Sequence, residues 1–164
     1  MAKWKKRWLN NFFLIISHSA IGVVGFTLGV YTLPILTAPE KPAKEIIDTV
    51  IDNAVYKAVF VKQLKGSDFF HWGQGQISIS NNKSVFVGKL SPGPVCKLYF
   101  AKKFVNDEIS FLKEKNNSLL LSDVKSFNSF AVSLPQNVNL DMYTSIVIWC
   151  EAFSEFITSA QYRY

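Results

Sequence analysis

Residues 76–87 read Gln-Ile-Ser-Ile-Ser-Asn-Asn-Lys-Ser-Val-Phe-Val, and this stretch indicates the fold more clearly than any other. Ile77 and Ile79 alternate with serines, which is the pattern of a strand with one buried face. Asn81-Asn82 is a typical turn, and Ser84–Val87 continues as a second strand. The stretch therefore predicts a β-hairpin.

Further short apolar segments, separated by turn residues, lie on both sides of this hairpin. Gly66-Ser67-Asp68, Ser91-Pro92-Gly93-Pro94 and Asn116-Asn117 interrupt the chain between them. The pattern predicts a mainly β fold, an antiparallel β-sandwich of about 7–8 short strands or a small barrel. The other predicted strands are Tyr56–Leu64, Val95–Phe100, Leu119–Val124, Phe130–Leu134, Ser145–Cys150 and Ile157–Tyr162, with a surface helix or loop over Phe104–Lys115.

The N-terminal segment has the composition of a transmembrane helix. No Asp, Glu, Lys or Arg occurs from Trp8 to Pro39, and most of Phe12–Leu36 is apolar. A bilayer core needs about 20 such residues, so the run is long enough to span it once. Basic residues mark the cytoplasmic end of a span. The sequence thus predicts a single-pass membrane protein whose C-terminal domain lies outside the cytoplasm, the basic residues being Lys3, Lys5, Lys6 and Arg7.

A cleaved signal peptide is the alternative interpretation of this segment. The apolar run is longer than the roughly 7–15 residues of a signal-peptide core. The one small-residue exit, Thr37-Ala38, is followed by Pro39, which is unfavourable just after a cleavage site. We therefore predict an uncleaved signal anchor. Gly25-x-x-x-Gly29 and His18 inside the span are interpreted as tolerated residues, without a dimer or cofactor role.

The composition divides the chain into four parts. Residues 1–8 are a basic cytoplasmic tip, and residues 9–36 are the transmembrane anchor. Residues 37–55 form a proline-containing linker, in which Lys44–Ala54 has the spacing of a short helix. Residues 56–164 are the predicted β domain.

The charge distribution argues against nucleic acid as a partner. The 164-residue chain has a formal net charge of +6, but no acidic residue precedes Glu40 and four cations lie at the N-terminus. The rest of the chain holds 14 basic and 12 acidic residues, so the outer domain is nearly neutral. A nucleic-acid-binding domain normally carries a basic patch.

The residues needed for familiar enzyme chemistry are scarce. His71 is the one imidazole of the outer domain, and no phosphate loop, nucleophile elbow or haem-attachment motif occurs. These residues do not indicate an enzyme or a metal site. Cys96 and Cys150 remain, and three interpretations are open: a disulfide between them, two buried core residues, or one working thiol. Because Cys96 shares a strand face with Leu98, and Cys150 shares one with Ile148, both cysteines should face inward.

Several motifs resemble those of the DM-thirteen domain family. They are His71-Trp72-Gly73-Gln74-Gly75, Ser91-Pro92-Gly93-Pro94 with Lys97–Phe100, the strand Tyr143–Glu151, and the tail Phe153–Tyr162. The resemblance covers about Tyr56–Tyr164 and is closer to the bacterial form that has a single membrane anchor, which implies a bacterial inner-membrane protein with this domain in the periplasm. In two places the chain departs from the family pattern. Val95 stands where an acidic residue is expected, and Cys96 is not a family position.

The resemblance implies an electron-transfer accessory that acts through Cys150, as a redox thiol or as a haem ligand. His71 is the second candidate for cofactor binding, and Met142 is the residue that could complete a haem site with it. The extra Cys96 raises the prospect of a disulfide with Cys150. The redox or envelope partner is not specified.

A second function remains open from the residues alone. The domain could be a non-catalytic binding or scaffold module of the cell envelope, since it is rich in aromatic residues and lacks an acid/base set. Burial is the simpler interpretation of the same aromatic side chains. The candidate contact residues are Trp72, Trp149, Tyr162 and Tyr164.

Overall fold

The computed structural model describes residues 2–164, apart from the side chains of residues 2, 3, 5 and 6. Residue 1 and the side chains of Lys3, Lys5 and Lys6 in the predicted basic tip therefore lie outside the described residues. The helices are α1 (Ala2–Leu36), α2 (Lys44–Asp52) and α3 (Glu108–Glu114). The strands are β1 (Tyr56–Phe60), β2 (Gly73–Ile79), β3 (Lys83–Leu90), β4 (Cys96–Ala101), β5 (Leu119–Val124), β6 (Ser129–Ser133), β7 (Ser145–Cys150) and β8 (Glu155–Gln161).

The eight strands form two four-stranded antiparallel sheets, so the predicted mainly β fold is confirmed. One sheet has the order β1-β2-β3-β6 and the other β5-β4-β7-β8. Inward-facing residues of both sheets make the main core, with Ile77 and Phe86 from the first sheet and Leu98 and Ile148 from the second. The predicted half-buried strand is wrong at this end of the hairpin, because Ser78 and Ser80 are buried at 2% and 4% exposure, on the face that α2 contacts.

The second sheet is buried on both faces along β7, where all six residues are buried. Helix α3 covers the outer face, and Phe111 packs there against Tyr99 and Trp149. A capping box begins α3: the Asp107 carboxylate accepts from the Ser110 backbone N–H at 2.8 Å, and the Ser110 hydroxyl accepts from the Asp107 N–H. The segment predicted as a helix or loop is thus a short helix that seals a second core.

Helix α1 is long and apolar enough to cross a membrane, by length and composition, over Arg7–Leu36. Most of its side chains are exposed, but Val30 and Pro34 are partly buried, and so is Ala38 just after the helix ends. These positions recur every four residues, so they lie along one face of the chain as α1 ends. That face lies against the β domain, beside the loop that precedes β4.

Candidate functional site: a cross-strand thiol pair

Cys96 and Cys150 are direct neighbours across two strands. Cys96 is the first residue of β4, Cys150 is the last of β7, and the antiparallel register places them opposite each other. Both are buried free thiols in the main core. The structure therefore brings together the two cysteines, which the sequence separates widely.

The geometry of this pair permits a disulfide. The Glu151 N–H donates to the Val95 carbonyl at 3.0 Å, so the next pair along the ladder is the hydrogen-bonded one. Bonded and non-bonded pairs alternate in antiparallel sheets, which makes Cys96–Cys150 a non-bonded pair with a Cα separation of about 4.5 Å. Disulfides span Cα separations of about 4.4–6.8 Å. The pair can be bridged without separating the strands.

The loop before β4 closes over the two sulfurs. A Cβ placed on Gly93 would lie 3.2 Å from the Cys96 Sγ and 3.9 Å from the Cys150 Sγ, so glycine allows the backbone to approach both thiols. In the neutral pair, the Cys96 Sγ lies 3.3 Å from the Gly93 carbonyl oxygen and the Cys150 Sγ lies 3.1 Å from the Pro94 carbonyl oxygen, so each carbonyl can accept from a thiol. The loop thus holds each thiol in place.

Val95 completes this loop in the left-handed backbone region, with φ of 54°. A β-branched residue is strained there, whereas Asp and Asn tolerate this conformation. The predicted strand Val95–Phe100 begins one residue later, at Cys96, because of this conformation.

The surroundings distinguish the two thiols electrostatically. The hydrogen bond from Cys96 is the main cause that lowers the pKa of Cys150 to about 6, against the opposing effect of burial. The backbone N–H groups of Phe153 and Ala152 and the charge of His71 lower this pKa further. The same hydrogen bond, together with burial, raises the pKa of Cys96. Because these N–H groups and the charge of His71 act on Cys150 and not on Cys96, Cys150 is the thiol that ionises first, and a thiolate is the nucleophilic form of cysteine.

His71 lies beside Cys150 and is oriented by an acidic partner. Its Nδ1 is 2.9 Å from the Asp68 Oδ2, while the backbone N–H groups of Phe70 and His71 donate to the Asp68 Oδ1 at 2.7 Å. Burial opposes ionisation of Asp68, but these hydrogen bonds hold its pKa below the usual value. Such a carboxylate fixes the imidazole ring and leaves Nε2 as its free nitrogen.

Cys150 and His71 face one cavity of about 540 Å³. The structure thus places Cys96, Cys150 and His71 at one end of the sandwich. Met142 lies elsewhere, since it precedes β7 whereas Cys150 ends that strand, and β7 extends about 17 Å at 3.4 Å per residue. A haem held by both His71 and Met142 does not fit this arrangement.

The candidate contact residues of a binding module are divided by the fold. Trp149 and Tyr162 are buried, so they pack the core and offer no contact surface. Trp72 is partly buried, with the Lys62 ammonium 4.4 Å from its ring centre, and Tyr164 is exposed.

Sequence reasoning did not find the groups that lower the pKa of Cys150. The donors of Ala152 and Phe153 belong to a tight turn that includes Ser154 at φ of 55°, and no side-chain pattern marks backbone donors. The contact between Asp68 and His71 could have been predicted from the sequence. An aspartate three residues before His71 is typical of a side chain that accepts hydrogen bonds within a turn.

A comparison with protein families matches residues 60–162 to the model described as electron transfer DM13. No curated protein matches the chain, and no solved structure does. The match covers most of the chain and includes Cys96, Cys150 and His71. The chain belongs to the electron transfer DM13 family.

Proposed function

We propose that this protein is a membrane-anchored redox accessory whose working group is Cys150, with Cys96 as its partner thiol. The observation that carries the proposal is the cross-strand pairing of a thiol of lowered pKa with a second thiol. Such a pair exchanges two electrons by passing between dithiol and disulfide, with Cys150 as the attacking thiolate.

The proposed placement of the protein in the cell follows from α1. Residues 9–36 anchor the chain in the bacterial inner membrane, residues 37–55 link it, and residues 56–164 form the periplasmic domain. The support is the uncharged length of α1 and the basic cluster before it. Disulfide chemistry is favoured in that oxidising compartment.

The proposed thiolate predicts an unusual pH profile for alkylation. In the reduced full-length protein, the rate of Cys150 alkylation by iodoacetamide should rise with a midpoint near pH 6, because its pKa is lowered to about 6. An ordinary thiol shows a midpoint near pH 8.5. Mass spectrometry of peptides separates modification of Cys150 from that of Cys96.

The same experiment has a matched pair of variants. Cys96→Ala removes the hydrogen-bond donor and should shift the Cys150 midpoint upward, whereas Cys96→Ser keeps a donor and should shift it less. A midpoint near pH 8.5 in the wild-type protein would refute the activated thiolate, and the binding module would then be the better interpretation.

The orientation is tested by reporter fusions. A reporter that is active only in the periplasm should be active when it is fused after Tyr164, and a cytoplasm-dependent reporter should be silent there. The reason is that the basic residues before Trp8 favour a cytoplasmic N-terminus. The opposite pattern of activities would overturn the proposed localisation.

Recovery of a soluble form beginning near Pro39 would show that the segment is a cleaved signal.

A further inference from the structure

The cavity beside Cys150 has two kinds of wall. One wall belongs to α1, through Phe26, Val30 and Tyr31, and the other belongs to the β domain, through Phe70, Phe153 and Ile157. The lining is mainly apolar, and Cys150 and His71 are among its few polar groups. A volume of about 540 Å³ suits a single small organic ligand, since such sites measure about 300–1,000 Å³.

The position of the cavity along α1 indicates how a ligand reaches it. Within the anchor of residues 9–36, about 20 residues cross the hydrocarbon core and the others lie in the headgroup region, so a core that begins near Trp8 ends near Thr27. Thr27 itself lines the cavity. Around the same end of the domain, large apolar side chains are exposed, including Phe69 at 85% and Phe153 at 58%. The cavity therefore lies at the membrane boundary and is open to an apolar molecule from the bilayer.

We propose that this cavity binds the ring of a lipid-soluble quinone, and that the quinone oxidises the Cys96–Cys150 pair. The inference rests on the proposed redox function of the pair and specifies its electron acceptor. A dithiol releases two electrons and two protons when it becomes a disulfide, and a quinone takes up both as it becomes a hydroquinone. Because the quinone is apolar, it partitions into the bilayer that adjoins the cavity.

The reaction balances with these two reactants alone. One S–S bond forms between Cys96 and Cys150; the Cys150 proton is lost when its thiolate forms, and the Cys96 proton is lost as the bond forms. Two electrons pass from the sulfurs to the ring, and two protons end on the ring oxygens. Asp68 engages the Nδ1 of His71, so Nε2 is the ring nitrogen left to hydrogen-bond or pass a proton to a quinone oxygen.

The test uses the full-length protein, reduced and reconstituted without oxygen in phosphatidylcholine vesicles that contain a short-tailed ubiquinone analogue. We expect one hydroquinone, measured by absorbance, for each bridged Cys96–Cys150 pair, measured by mass spectrometry. Cys150→Ser should give neither product. A parallel sample receives diamide, a water-soluble thiol oxidant. If diamide bridges the pair and the quinone does not, the quinone inference fails while the redox function stands. If neither oxidant bridges it, both fail.

Two variants of α1 test whether the cavity is the quinone site. Val30→Trp fills the cavity and should slow oxidation by the quinone at least about 10-fold, which corresponds to a loss of about 1.4 kcal/mol. Val24→Trp is the matched control, because Val24 is exposed on α1 and does not line the cavity. Val24→Trp should react with the quinone and with diamide at the wild-type rates. Equal quinone rates in the two variants would overturn the assignment of the cavity.

Discussion

Oxidation of the full-length protein should raise the free energy of unfolding of its β domain by about 2–4 kcal/mol. The physical reason is that a Cys96–Cys150 bridge closes a long loop, which restricts the unfolded chain, while the paired strands already hold the two residues opposite each other. The increase should be absent in Cys96→Ser and in Cys150→Ser. Loss of the strand signal in circular dichroism, followed in guanidinium chloride with and without reductant, measures it.

The two serine variants serve as controls for each other. Each variant lacks one of the two sulfurs and cannot form the bridge. The midpoint denaturant concentration of each variant should therefore be the same with and without reductant. Before reduction, the wild-type thiols should resist alkylation even in denaturant, and after reduction both should be modified. Two free thiols in the oxidant-treated protein would contradict the proposed function and identify the cysteines as ordinary core residues.

Trp149→Ala should destabilise the domain by about 3–5 kcal/mol, the usual cost of removing a large aromatic side chain from a core. Trp149 is 0% exposed and packs against Phe111, with the ring centres 5.0 Å apart. Most of a small domain's stability would therefore be lost. Denaturant unfolding, again followed through the strand signal, tests this expectation.

Two other substitutions distinguish packing from a contact role. The Trp149 Nε1 is buried without a hydrogen-bond partner among the described residues, so Trp149→Phe removes that donor and should cost less than Trp149→Ala. Trp72→Ala, at a partly buried position, should also cost less than Trp149→Ala. Equal stability of Trp149→Ala and the wild type would mean that Trp149 does not belong to the core.

The sequence alone determined the class of fold and the membrane-length helix. Alternation of Ile77 and Ile79 with serines predicts a strand because neighbouring side chains of a strand point to opposite faces. The uncharged run after Trp8 predicts a membrane-length helix for an equally local reason. The length and apolar composition of one segment decide whether it can cross a bilayer. Strand ends were less accurate: predicted Tyr56–Leu64 ends at Phe60, and predicted Ile157–Tyr162 is Glu155–Gln161.

The sequence also predicted that Cys96 and Cys150 face inward, because each shares a strand face with apolar residues of the core. Only the tertiary structure decided that they face each other. Strands β4 and β7 are neighbours in the sheet, although α3, β5 and β6 lie between them in the chain. Pairing between strands so far apart in the chain depends on the whole fold and leaves no local pattern. The lowered pKa of Cys150 likewise arises from Cys96 and from the N–H groups of a turn. Backbone donors exist at every residue except proline, and folding alone decides which of them reach the sulfur.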